Sequence, residues 1–270
     1  MKLLDLLMSI LGIFKTPLNA SAPGKVYGWV KDIEDPRDYL FTNHYSFDAK
    51  KLPVFVDMTA YMPPVFDQGN LGSCTANAIC AHVQFLHMQS MKDSTMLSRL
   101  YLYFKEREME QTINEDAGAM IRDGIKCVDK FGICAEALMQ YDVAKFKQAP
   151  NAAQNADAIK REISIFSRIK TLAEMKQCLA DGFPFVFGFQ VYESFESDAV
   201  ASNGIMPMPK KGERCLGGHA IMAVGYNDKT KMFKIRNSWG SGWGDKGYFY
   251  MPYDFITNAN YTDDFWTIRK

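Results

Sequence analysis

Apolar positions set the first expectations. Behind Ser73 and Cys74, the residues Ala76, Ile79, Val83 and Leu86 recur at three- and four-residue spacing. That stripe predicts a core helix from Ser73 to about Gln89. The helix is entered through a loop broken by glycine, Phe66-Asp67-Gln68-Gly69-Asn70-Leu71-Gly72. Leu100, Tyr101 and Phe104, interleaved with Lys105 to Glu108, predict a second helix over 97–109, and a third follows over 119–130. An alanine- and asparagine-rich stretch, 150–162, reads as a surface helix or connector. The period then changes. Ile163 to Phe166 and Phe185 to Val191 read as strands flanking a short helix, Leu172 to Leu179, and further strands are expected at Gly247 to Met251 and Phe265 to Ile268. Between apolar runs, Asn227-Asp228-Lys229-Thr230 is turn chemistry, so 216–236 reads as a β-hairpin. Helices in one half and strands in the other predict an α+β protein of two lobes with a cleft between them.

The N-terminal fifty residues do not follow these patterns. Residues 1–14 combine Lys2, a long apolar run and, afterwards, Ala20-Ser21-Ala22, which suits a secretory signal over 1–22. Lys2, Asp5, Ser9 and Gly12 also fall on one stripe, which suits an amphipathic helix docked on the protein or on a membrane surface. Fourteen helical residues reach about 21 Å, too short to span a bilayer. From Lys15 to Lys51 the periodicity fades, and Pro17, Pro23, Gly24, Gly28 and Pro36 predict extended chain and turns. The charge cluster Asp32, Glu34, Asp35, Arg37 and Asp38 reads as a solvated face.

Composition narrows the partners. The 270 residues carry 31 Lys+Arg against 31 Asp+Glu, and the absence of net charge argues against nucleic acid or an anionic membrane as an obligatory partner. A peptide or protein substrate needs no such bias, and a monomer is expected. Cys74, Cys80, Cys127, Cys134, Cys178 and Cys215 form no CxxC pair, and four histidines lie scattered, so no metal or cofactor is expected.

The chemistry concentrates at three places. Cys74 is placed in the first turn of a helix that Ser73 can cap, where unpaired amides and the helix dipole favour a thiolate. Pairing Tyr226 with Lys231 across the hairpin sets His219 opposite Ser238, within about one residue of Asn237. An asparagine oxygen can hold one imidazole nitrogen while the other faces a thiol, which supplies nucleophile, base and orienter for acyl transfer.

In order along the chain stand Gln68-Gly69-Asn70-Leu71-Gly72-Ser73-Cys74, Gly218-His219-Ala220 and Asn237-Ser238-Trp239-Gly240-Ser241-Gly242-Trp243-Gly244. Together they resemble the papain-like cysteine peptidases, family C1, over roughly Leu52 to the C-terminus, and feel closest to the microbial and viral branch. The resemblance implies Cys74 as nucleophile, His219 as general base and acid, and Asn237 as the residue orienting His219. It implies an oxyanion hole of the Gln68 side chain and the Cys74 amide, with Trp239 covering the His219–Asn237 hydrogen bond. By position Gly118, after Glu115-Asp116-Ala117, matches the loop that carries substrate backbone. The implied fold has a helical N-terminal lobe, about 65–162, and a β-barrel-like C-terminal lobe, about 163–270, within a peptidase domain 51–270. Residues 1–50 would then be a short pro-region that lies on the domain and crosses its cleft.

The chain departs from the family pattern at Leu71, where a bridging cysteine is usual, and at Thr75, where tryptophan is usual. With Cys74 set aside, five cysteines remain, so complete pairing is impossible. This favours an intracellular or virion-associated setting over a secreted one. Three functions follow as expectations: hydrolysis of peptide bonds through a thioester, a transpeptidase or ligase with the same triad, or a silent scaffold. Side-chain preference and end- against internal cleavage stay open.

Overall fold

A computed structural model describes residues 25–43 and 52–269; the expected helix or signal at 1–22 lies outside the described residues. The described chain opens on β1 (Trp29–Val30) and continues through β2 (Phe55–Asp57), α1 (Cys74–Met91), α2 (Arg99–Met109), β3 (Ala119–Met120), α3 (Ile121–Phe131) and α4 (Ala152–Ala158). It then runs β4 (Ile165–Arg168), α5 (Leu172–Ala180), β5 (Phe185–Tyr192), α6 (Asp198–Asn203), β6 (Cys215–Asn227), β7 (Met232–Arg236), β8 (Tyr248–Pro252), α7 (Tyr253–Ile256) and β9 (Thr262–Arg269). The main helices precede the main sheet as expected, with the short strands β1, β2 and β3 lying before and among them and α5, α6 and α7 among the later strands.

Helix α1 is enclosed on every side rather than along one stripe, every residue from Cys74 to His87 being buried. A helix buried all round is a core element. It packs between α2 and α3 on one side and the sheet, chiefly β6, on the other. His82 and His87 are therefore interior residues. Ser73 occupies the position before the helix, but its hydroxyl makes no capping bond; it pairs with Tyr141 Oη at 2.5 Å and accepts from Asn77 Nδ2 at 3.0 Å.

The sheet is antiparallel with strand order β4-β9-β5-β6-β7-β8, and β2 pairs with the far end of β6. It remains open, so the barrel-like lobe is corrected to a twisted sheet without closure among the described residues. Phe185, Phe187 and Phe189 on β5 lie fully buried, with Phe187 stacked on Phe265 at 5.1 Å.

The hairpin forms with a shifted register. Asn227 pairs with Met232 and Tyr226 with Phe233, so the four-residue loop is Asp228 to Lys231. Lys231 takes the left-handed conformation, φ 57°, that closes the loop. A bulge between Ala223 and Gly225 then moves the register by one, bringing Met222 opposite Arg236. Periodicity alone carries no sign of that extra residue.

The segment 25–43 lies on the domain and ties its two halves. Asp32 is buried and accepts from Arg168 Nη2 (2.8 Å), Trp266 Nε1 (2.9 Å) and the Arg122 amide (3.1 Å). Asp38 accepts from Arg122 Nη2 at 2.6 Å and Arg168 Nε at 2.9 Å. Two members of the cluster expected to face solvent, the buried Asp32 and the half-buried Asp38, are thus ion-pair partners of Arg122 and Arg168, while Glu34, Asp35 and Arg37 lie outside the network. Arg122 belongs to α3 and Arg168 to β4, so the pairs join helical and sheet regions through the segment.

Candidate active site

Backbone pairing places Gln68. The Gln68 amide donates to Ser238 O at 2.9 Å, the Gly240 amide to Phe66 O at 2.9 Å, and Asp67 bridges Trp239. The loop before α1 is thereby laid along the segment after β7. Ser238 Oγ donates to Gln68 Oε1 at 2.6 Å, which turns the Nε2 end of the amide away. That end donates to Leu71 O at 3.0 Å and to Val26 O of the N-terminal segment at 3.2 Å. Ser238 as the residue fixing Gln68 is not drawn from the sequence, although it stands inside the Asn237-Ser238-Trp239 motif.

His219, on β6, and Asn237, just past β7, meet as the hairpin reading expects. His219 Nε2 lies 2.9 Å from Asn237 Oδ1, and its Nδ1 is buried with no hydrogen bond. Asn237 Oδ1 also accepts from the Ser238 amide at 2.8 Å, which holds the oxygen in place. Trp239 is buried and stacks on His219, with ring centroids 5.1 Å apart and planes 26° apart. An apolar ring over a neutral hydrogen bond keeps water from competing for it.

Cys74 is fully buried against the start of α1, with the backbone N–H groups of Ala220, Gly28 and Thr75 directed at its sulfur. Ala220 follows His219, so one strand brings both the imidazole and an amide to the thiol. Burial pushes the thiol up to about 12, outweighing those three amides. Burial also pulls His219 down to about 4, against the Asn237 bond, which acts upward. The expected lowering of the thiol pKa by the helix terminus is therefore reversed here. Desolvation disfavours the charged form of both groups and outweighs the dipole.

The segment 25–30 lies over both groups. Lys25 lies over Trp239, its ammonium 4.8 Å from the ring centroid, and Tyr27 packs edge-on against His219 at 6.0 Å. Tyr27 Oη donates to Glu196. Gly28 passes so close to Gly72 that a Cβ on Gly28 would stand 1.8 Å from the Gly72 carbonyl oxygen. The Ala119 amide donates to Gly28 O at 2.8 Å, and β1 pairs with β3 in parallel. Gly118 itself, φ 71°, directs its amide to Tyr103 Oη at 3.2 Å, and the bond to the segment is made by its neighbour Ala119.

The two departures have structural partners. Leu71 is buried in the core. Thr75 Oγ1 donates at 2.8 Å to Glu106, a carboxyl that burial raises well above its ordinary range. All six cysteines are free thiols.

The profile of the family described as "Papain family cysteine protease" matches residues 46–264. The chain belongs to that family. An uncharacterised peptidase C1-like protein of Acanthamoeba polyphaga mimivirus is 39% identical over 283 residues, covering 94% of this chain and 89% of that protein. Xylellain, a cysteine protease from Xylella fastidiosa, superimposes with a TM-score of 0.82 at 39% identity, covering 90% of this chain and 96% of that one. Cysteine proteinase 1 of Entamoeba histolytica is 27% identical over 218 residues, 74% of this chain and 63% of its own length. The molecule is thus a papain-like cysteine peptidase of the microbial and viral type, with the papain-like fold.

Proposed function

We propose that this peptidase hydrolyses peptide bonds through a thioester on Cys74, and that its own residues 25–30 hold it latent. In the open enzyme His219 Nδ1 takes the Cys74 proton, giving an imidazolium and a thiolate. The sulfur attacks the scissile carbonyl carbon, and the Gln68 Nε2–H and the Cys74 amide hold the developing oxyanion. His219 then protonates the leaving amine as the C–N bond breaks, and a water deprotonated by the same ring releases the acid and restores the thiol. Asn237 keeps the imidazole in one orientation throughout, and Trp239 shields that bond.

The observation that carries the reading is the contact between one hairpin and one helix start: His219 Nε2 on Asn237 at 2.9 Å, Nδ1 unbonded, and the next amide, Ala220, on the Cys74 sulfur. Latency rests on how the segment meets the same groups. A scissile peptide must place one carbonyl with its carbon at the sulfur and its oxygen at Gln68. Here the oxygen at Gln68 comes from Val26, while the group at the sulfur is the Gly28 N–H. No single peptide group of the segment spans both, so the segment occupies the site without being a substrate. Labelling by an epoxide inhibitor of the E-64 type, mapped by mass, tests the reading. One adduct on Cys74 after the segment is displaced supports it, and failure of Cys74 to label in any displaced form would favour the silent scaffold.

A further inference from the structure

Trp29 fills a slot that this chain has cleared of side chains. A Cβ on Gly188 would lie 1.9 Å from the Trp29 ring, and one on Gly218 2.7 Å from it. For Gly188 the three nearest atoms all belong to that ring. At the end of the slot the indole N–H donates to Asp264 Oδ2 at 3.0 Å. Asp264 is 1% exposed and sits with φ 59°, where β5 and β9 slip register between Val186 and Gly188. A non-glycine residue at positive φ beside a bulge aims its side chain at an energetic cost and is found at sites with a function. Asp264 Oδ1 accepts from Arg168 Nη1 at 3.2 Å, and Oδ2 also accepts from the Asp32 amide at 2.8 Å. When Trp29 leaves, Oδ2 loses the indole donor and keeps the Asp32 amide, while Arg168 stays paired with Oδ1.

Resting on the reading of the segment as a displaceable plug, we infer that the Trp29 slot is a specificity pocket of the open peptidase, selecting a flat aromatic substrate side chain that donates a hydrogen bond to Asp264, tryptophan above all. The glycines admit a planar ring. The buried acceptor, left without its side-chain donor by a phenylalanine or leucine, penalises side chains that cannot replace that bond. Arg168 already donates to Asp264 Oδ1, and the flat glycine walls of the slot fit a planar ring rather than the flexible chain of a lysine or arginine. The Gly28–Ala119 hydrogen bond fixes the slot beside the strand edge along which a peptide backbone can lie.

The test uses the full chain carrying Trp29→Ala, which empties the slot, and a peptide library scanned one position at a time. The inference predicts one position at which tryptophan is cleaved about ten- to a hundredfold faster than phenylalanine, the discrimination of one hydrogen bond to a charged acceptor. Adding Asp264→Ala should level tryptophan with phenylalanine. Adding Gly188→Ala, which narrows the slot without touching the ion pairs, should lower the tryptophan-to-leucine ratio at that position and keeps the test decisive if the Asp264 variant does not fold. Turnover with no such position, with lysine or arginine preferred, or with ratios unmoved by Gly188→Ala overturns the inference and leaves the peptidase reading intact. Absence of both turnover and Cys74 labelling would instead count against that reading.

Discussion

At the scale of single residues, the chemistry is set by what each polar atom is bonded to. Gln68 is turned by Ser238, and His219 by Asn237, whose oxygen is itself held by the Ser238 amide. Removing the Gln68 side chain should lower kcat of the open enzyme by roughly a hundredfold, the typical cost of one oxyanion donor. Cys74→Ala should abolish turnover altogether; steady-state kinetics on any cleaved peptide checks both. The charge states of the closed form follow from burial. A thiol raised to about 12 and an imidazole lowered to about 4 leave both groups neutral across the window between those values. Histidine-edited NMR of the intact chain should find His219 neutral at pH 6, and a midpoint at or above the ordinary 6.5 would contradict it. These side chains were legible in the sequence because each sits in a short motif whose chemistry is local. Their ionisation was not, because the dipole at a helix start can be read from sequence while the burial that overrides it depends on residues distant in the chain.

At the scale of elements, the hairpin and helix α1 position the site, and the sequence reads them unevenly. His219 and Asn237 meet because β6 and β7 are adjacent in the chain, and turn chemistry between apolar runs announces that pairing. The register differs by two at Tyr226 because the loop is Asp228 to Lys231, and by one beyond the bulge. Neither feature has a periodic signature. The network of Asp32, Asp38, Arg122, Arg168 and Asp264 joins residues as far as 232 positions apart, as Asp32 and Asp264 are, and such pairings are invisible to local pattern. This network holds the segment to α3 and β4. Truncating one partner of a buried ion pair typically costs 3 to 5 kcal/mol, roughly, because the other charge is left unpaired. Asp32→Ala should therefore loosen the segment and speed Cys74 labelling in the uncut chain by at least about tenfold, read from the adduct formed with time. Labelling as slow as in the native chain would mean that the ion pairs do not hold the plug.

At the scale of the whole molecule, the helical and sheet regions of an α+β fold meet at Cys74 and His219, and residues 25–30 lie against that junction. The two-part architecture could be read from the change of hydrophobic period near residue 163. The path of residues 25–30 could not, since a segment without periodicity reveals neither its partners nor its direction. The same segment that seals the site also outlines it, with Val26 O on Gln68, Gly28 N–H on the sulfur, and Trp29 in the slot beside Asp264. The most direct test of the central claim is epoxide labelling of Cys74 in the intact chain and in the full chain carrying Trp29→Ala, side by side, read by intact mass and peptide mapping. The account predicts a single adduct on Cys74 in the variant and little or none in the native chain over the same time. Equal, rapid labelling of both would contradict latency, and an adduct on any cysteine other than Cys74 would contradict the assignment of the nucleophile.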